Sequence, residues 1–361
     1  MKRTGVADLP LHPGRAPRWL FERMVKLGRA ISEILILEYG RDEFLRRLSD
    51  PFWFQAFSCV LGFDWHSSGT TTVTCGALKE AINLSEYGIS VAGGKGSVSR
   101  KTPDEIKKFG EILSLSDSRI DSLIYSSRMA AKVDNSAIQD GYNLYHHVFI
   151  FSEDGKWVVI QQGMNEKNRY ARRYHWLSED VKSFVNEPHS GIAGYERKER
   201  VLNMVARESE ECRKACVDIV KENPKKLVNW FRRISYQKTL DGEEMLSMPM
   251  SINWSLMKKI YDFQPTNYEE LLSIRGVGPK TVRSLALIAD LIYGSKPSWR
   301  DPIKFTFTVG GKDGVPYPVD RKVMDETIDI LANSIKEAKI GDREKMKALK
   351  RLRVLIPEGI R

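Results

Sequence analysis

Between Leu271 and Val282 the chain reads Leu-Leu-Ser-Ile-Arg-Gly-Val-Gly-Pro-Lys-Thr-Val, a stretch that few backbone paths accommodate. Thr266, with Glu269 three residues on, predicts a capped helix start, and Leu271, Leu272 and Ile274 give that helix an apolar face. Gly276-Val277-Gly278 predicts a tight reversal, because glycine enters backbone regions closed to other residues. Val277 between the glycines is placed to plug into the helix pair. Pro279 suits the first turn of a second helix, where a missing N–H costs nothing. Residues 266–290 therefore read as helix, hairpin, helix. The amides around Gly276, Gly278 and Lys280 then face outward at the positive end of a helix dipole, a geometry that binds phosphate. Such a hairpin holds a nucleic-acid backbone without reading its sequence. The candidate DNA contacts are Arg275, Gly276, Val277, Gly278, Lys280, Thr281 and Arg283.

Charge points the same way, more weakly. The 361 residues carry a formal net charge of +10, which favours a polyanionic partner but is spread along the chain. A composition 42% hydrophobic and 29% charged is that of a globular protein, and no run of eighteen apolar residues predicts a membrane span. The first residues lack the apolar stretch of a signal peptide, so the expected location is the cytoplasm. Cys59, Cys75, Cys212 and Cys216 fit a reducing compartment and read as structural thiols.

The expected fold class is α+β. A mixed α/β domain of unknown role, 1–190, precedes an all-α domain, 191–361, that carries the hairpin and a small β insertion. Residues 17–61 read as helices, with a new one starting at Pro51. Thr70-Thr71-Thr72-Val73-Thr74 reads as a loop leading into a strand, and Gly93-Gly94-Lys95-Gly96 as a flexible loop. The firmest β signal is His146–Gly163, two β-branched runs joined through Asp154-Gly155, a hairpin. Phe305–Val309 alternates like a further strand, and helices resume at Val319.

Residues 266 to about 335 resemble the helix–hairpin–helix superfamily of DNA base-excision glycosylases, the endonuclease III type. The resemblance rests on Ile274-Arg275-Gly276-Val277-Gly278-Pro279-Lys280-Thr281-Val282 and on Pro318-Val319-Asp320-Arg321-Lys322-Val323, within the segment 318–335. It implies that Lys280 attacks the sugar and that Asp320 assists departure of the base, and Arg321 and Lys322 beside it are further candidate DNA contacts. The interval between Lys280 and Asp320 is longer than in that family, and Lys322 stands where a histidine usually follows. No four-cysteine pattern follows, so no iron–sulfur cluster is expected. Most of the chain is also similar to an uncharacterised prokaryotic family, domain of unknown function 763. Arg3–His12, Trp65–Thr71 and Gln139–His147 carry that resemblance, which implies no activity.

The first half holds a possible second site: Asp64, His66, Asp134, Asp140, His146, His147, Gln161, Arg172 and Arg173. Asp134 and Asp140, with His147 or Lys156, are candidates to hold a divalent metal, Mg or Mn, as in a nuclease. His146 and His147 also read as strand alternation, one in and one out. Arg169–Trp176 interleaves basic and aromatic residues, which suits phosphate and unpaired bases or else a packed strand. Three functions stay open: a DNA-repair enzyme with glycosylase and lyase chemistry at Lys280 and Asp320, a metal-dependent DNA nuclease with its site in the first half, and a non-catalytic DNA-binding protein. Each takes DNA as partner, single-stranded or damaged DNA included, and none needs a membrane.

Overall fold

A computed structural model describes residues 9, 16–63, 67–82, 84–194, 197–223, 226, 227, 229, 230, 253–303 and 321–355. Helix α1 (Arg18–Ser49) is interrupted at Gly40, whose φ of 85° and ψ of 165° leave the helical region. Asp50 caps α2 (Pro51–Leu61): its carboxylate accepts from the Phe52 and Trp53 amides at 2.7 and 3.0 Å. Every residue of α2 is buried, as its nearly unbroken apolar run requires. Helix α3 (Gly69–Ala81) occupies the threonine stretch expected as a loop and strand start. The correction has a physical basis. Thr70 Oγ1 donates to Ser67 O at 2.7 Å and Thr74 Oγ1 to Ser58 Oγ at 3.0 Å, so burial satisfies the hydroxyls and overrides the weak β preference of threonine.

A short α4 (Leu84–Tyr87) leads into β1 (Ile89–Lys95). Gly93-Gly94-Lys95 ends this strand instead of forming the expected loop. Gly93 sits at φ +97°, and a Cβ there would lie 2.2 Å from the His147 carbonyl oxygen. Only a glycine lets the strand approach its neighbour so closely. After a 3₁₀ turn come α5 (Thr102–Ile112) and α6 (Asp117–Lys132), the latter running on into a π turn at Val133–Ala137. The strands β2 (Ile138–Gln139), β3 (Asn143–Ser152), β4 (Trp157–Asn165), β5 (Tyr170–Leu177), β6 (Gly191–Gly194) and β7 (Leu202–Asn203) follow. The β3–β4 pair is the expected hairpin, with Gly155 at φ 78° in its turn. Five strands form one antiparallel sheet in the order β1-β3-β4-β5-β6, and β2 pairs with β7.

The remaining described helices are α7 (Glu210–Lys221), α8 (Trp254–Phe263), α9 (Tyr268–Ser273), α10 (Pro279–Tyr293), α11 (Arg321–Glu337) and α12 (Asp342–Leu355). The fold is α+β. The strand expected at 305–309 lies outside the described residues. Both faces of the sheet are covered. Phe149, Val159 and Trp176 belong to an apolar cluster that extends through Cys212 to Leu271, Val277 and Ala286, so residues on both sides of position 190 share it. Val148, Ile150 and Leu177, on the opposite face, pack with Leu35, Phe54, Leu78, Leu331 and Leu352. All four cysteines are buried free thiols. No helix among the described residues is long and apolar enough to cross a membrane.

The Gly93 contact predicts a difference between two left-handed glycines. Gly93→Ala forces a backbone clash and is expected to cost about 2–4 kcal/mol, whereas Gly96→Ala, with open space at its φ of +62°, costs about 1 kcal/mol. Urea unfolding midpoints of the two variants check this.

Candidate functional site

The central strands are apolar over one stretch and polar over the next. Register aligns His147, Gln161 and Tyr174 across β3, β4 and β5, and aligns His146, Gln162 and Arg173 in the adjacent row. Strand pleating places these two rows on opposite faces of the sheet. Both faces are covered, so all six residues are buried, and all but His146 find hydrogen-bond partners within the protein. His146 and His147 do alternate, but both are buried.

On the first face the π turn after α6 delivers Asp134 to the sheet. Its Oδ2 accepts from Gln161 Nε2 at 2.5 Å and from Trp176 Nε1 at 2.9 Å, while Oδ1 meets His189 Nε2 at 2.5 Å. Because the Gln161 amide nitrogen is committed to Asp134, its oxygen is the group facing His147 Nδ1, at 2.8 Å. That oxygen can only accept, so Nδ1 carries the proton. His147 Nε2 is then the unprotonated nitrogen, and Ser127 Oγ lies 2.8 Å from it. Burial lowers the His147 pKa, with Gln161 and Asp134 opposing, which keeps the ring neutral. Arg172 lies further along the same face. It donates to Asp140 Oδ2 at 3.0 Å and grips Asp301 through both terminal nitrogens, at 2.9 and 2.8 Å. Tyr174 Oη donates to the same Asp140 oxygen at 2.6 Å. Burial opposes the charge on Arg172, yet Asp140 and Asp301 hold its pKa above the ordinary value.

On the second face Arg173 donates to Gln55 Oε1 at 3.1 Å, Thr71 Oγ1 at 3.3 Å and Pro51 O at 3.2 Å, with its guanidinium 4.6 Å from the centre of the Phe54 ring. Burial pulls Arg173 down to about 9. Gln162 accepts from Thr71 Oγ1 and donates to Ser68 O at 3.0 Å and to the Tyr145 hydroxyl. Neither ring nitrogen of His146 has a hydrogen-bond partner, and burial pushes its pKa down to about 3.

Of the two readings of Arg169–Trp176, the packed strand is the one that β5 follows. Arg172 and Arg173 are fully buried and spend their donors inside the protein. Asp134 and Asp140 likewise commit their carboxylate oxygens to protein donors, and Lys156 pairs with Asp42 and Glu179. Among the described residues no group of three or more His, Cys, Asp or Glu is arranged to hold a metal ion. Asp64 and His66 lie outside the described residues.

The second candidate is the hairpin between α9 and α10. Its helix start falls one residue later than expected. Asn267 is the cap, its Oδ1 accepting from Glu270 N at 2.9 Å, and the Glu270 carboxylate accepts from Thr266 N at 2.8 Å. Gly276 lies at φ +103°, as its place in the reversal requires, whereas Gly278 is extended, a conformation open to any residue. Val277 is buried in the core. Arg275, Gly276 and Lys280 are exposed, and Gly278 and Thr281 are half-buried. Gly278 caps α10 without a side-chain hydrogen bond, so the helix presents its first amides unshielded. Arg283 turns inward: its Nε donates to Gln139 Oε1 at 2.8 Å, while Gln139 Nε2 donates to Pro279 O at 2.8 Å. Lys132 Nζ holds Ile274 O at 3.2 Å. Asp320 lies outside the described residues, as do the side chains of Arg321 and Lys322, which open α11.

Three residues central to this geometry carry no sequence signal of their own. Ser127 is one of several serines on α6, His189 follows a proline in a turn-rich stretch, and Asp301 lies 129 positions from the arginine it pairs. For Ser127 the signal available was helical phase, three residues past Ile124 and four past the buried Leu123.

The neutral burial of His146 predicts an acid-dependent stability. An unfolded chain protonates this ring near 6.5, while the folded protein resists until about 3, so the unfolded state binds more protons between those values. This contribution is fully present above pH 6.5 and is lost as pH falls toward 3. His146→Leu is therefore expected to lose less thermal stability between pH 7 and pH 4 than the unaltered protein. Melting temperatures at the two pH values test it, and equal losses in both proteins would contradict it.

Residues 5–319 match a family described as a protein of unknown function, DUF763. No curated protein and no solved structure matches the chain.

Proposed function

We propose, for a chain that belongs to the DUF763 family, that the hairpin grips the sugar–phosphate backbone of DNA. The observation that carries this reading is the start of α10. An uncapped helix N-terminus, closed by Gly278, stands beside the exposed side chains of Arg275 and Lys280. Unshielded amides at the positive end of a helix favour an anion, and flanking cations add to the attraction. Val277 in the core fixes the loop from beneath, and the Gln139 and Lys132 contacts to Pro279 O and Ile274 O hold its backbone on β2 and the end of α6. A loop held this rigidly loses little conformational entropy on binding.

In this reading Lys280 is a phosphate contact. Its exposure on the first turn suits a charged group reaching a polyanion. Contacts of this kind position DNA without selecting a sequence. The resemblance to endonuclease III implies the finer alternative, attack on the sugar by Lys280 assisted by Asp320.

Fluorescence anisotropy with short duplexes of unrelated sequence tests the proposal. Binding is expected to weaken steeply with salt and to depend little on sequence. Arg275→Ala and Lys280→Ala are each expected to lower affinity evenly across sequences and to reduce the salt slope by about one. Binding unaffected by both substitutions would refute the assignment. Borohydride trapping on abasic duplex separates the two roles of Lys280: no adduct is expected, and one lost in Lys280→Ala would make the lysine a nucleophile.

A further inference from the structure

A cavity of about 230 Å³ opens between α5, α6 and the start of β3, away from the residues that carry the hairpin proposal. Ser127, Thr102 and His147 line it, and Arg100 and Arg128, both exposed, bring positive charge to it. The serine and histidine are already joined, Ser127 Oγ to His147 Nε2 at 2.8 Å, and the ring's other nitrogen is fixed by Gln161 Oε1 at 2.8 Å. Gln161 is fixed in turn by Asp134, which the π turn and the Trp176 and His189 contacts hold in place.

We infer that Ser127 and His147 are the nucleophile and general base of an ester-hydrolysing site, with Gln161 as the residue that positions the histidine, and that the cavity takes a small ester bearing a negative charge. Three features carry this. A hydroxyl lies within hydrogen-bond reach of an unprotonated ring nitrogen, the relation that activates a serine. The ring's tautomer is set by an acceptor on the far side, which leaves the correct nitrogen free. The pair borders a cavity of about 230 Å³, smaller than a drug-sized pocket and suited to a small ligand, with Arg100 and Arg128 among its lining residues.

The chemistry balances without a co-reactant other than water. Ser127 Oγ bonds to the ester carbonyl carbon as its proton passes to His147 Nε2, and the carbonyl π pair moves onto oxygen. The pair returns as the bond to the leaving alkoxide breaks, and the alkoxide takes the proton from Nε2. Water then attacks the acyl-serine, giving a proton to Nε2, which returns it to Oγ as the acid departs. One ester and one water become one carboxylic acid and one alcohol, with no change of oxidation state.

Diisopropyl fluorophosphate, a small reagent for activated serines, tests the pair on the full chain, with the modified residue mapped by mass spectrometry. Labelling of native protein is expected at Ser127 and is expected to vanish on denaturation. His147→Ala is expected to slow it at least about a hundredfold. Because the unaltered protein is itself the main sample, the result does not depend on a variant folding. Native protein unlabelled at Ser127, or labelled there no faster than at other serines, would overturn the inference, as would labelling indifferent to loss of His147. Gln161→Met is expected to slow labelling and to convert the His147 ring, read by ¹⁵N NMR, from the Nδ1–H form to a mixture of tautomers. A ring that stays in the Nδ1–H form would remove Gln161 from the positioning role. DNA binding and labelling are independent readouts, so failure of either leaves the other to stand.

Discussion

The Asp134 carboxylate is the junction on which the polar arrangement of the sheet's first face depends. It reaches the sheet because α6 does not end cleanly but widens into a π turn, which redirects one acidic side chain into the interior. There it collects Gln161 from β4, Trp176 from β5 and His189 from the connection between β5 and β6. The segment just after that turn carries Gln139, which holds the hairpin through Pro279 O and Arg283. One short irregular segment thus orients a histidine next to the cavity and seats the loop that faces outward. A buried carboxylate is costly unless its oxygens are met by donors, and here they are met by groups that themselves have work elsewhere.

The strongly patterned parts of this fold were legible in the sequence. The β3–β4 hairpin announced itself through β-branched runs around Asp154-Gly155, α2 through Pro51 before an apolar run, and the hairpin through Gly276-Val277-Gly278-Pro279. The misreadings share a cause. Thr70–Thr74 looks polar and β-branched, yet forms a helix because its hydroxyls are spent inside the protein. Gly93-Gly94 looks like a loop, yet ends a strand because His147 O approaches where a side chain would sit. In both places tertiary contact overrides a local preference, and contact is what a linear pattern does not contain.

The polar residues of the first half were legible as a group but not in their arrangement. Asp134, Asp140, His146, His147, Gln161, Arg172 and Arg173 stood out by type, and the sheet register brings them to one end. What type alone did not reveal is that both faces of the sheet are covered. An exposed arginine offers itself to phosphate, while a buried one must find carboxylates or carbonyls, and Arg172 and Arg173 are of the second kind. The partners that complete the arrangement, Ser127, His189 and Asp301, come from elements whose closeness to the strands is fixed only by folding.

The bidentate grip of Arg172 on Asp301 spans 129 positions, and it bears on the order in which the chain is made. During synthesis the strands emerge long before residue 301. Until then Arg172 has Asp140 but not its fork-shaped partner, and the first face of the sheet also lacks the apolar cover that Leu271, Val277 and Ala286 supply. The sheet therefore waits, half-clothed, for the C-terminal helices, and a chain stalled before residue 301 presents a guanidinium and an apolar surface to whatever is near.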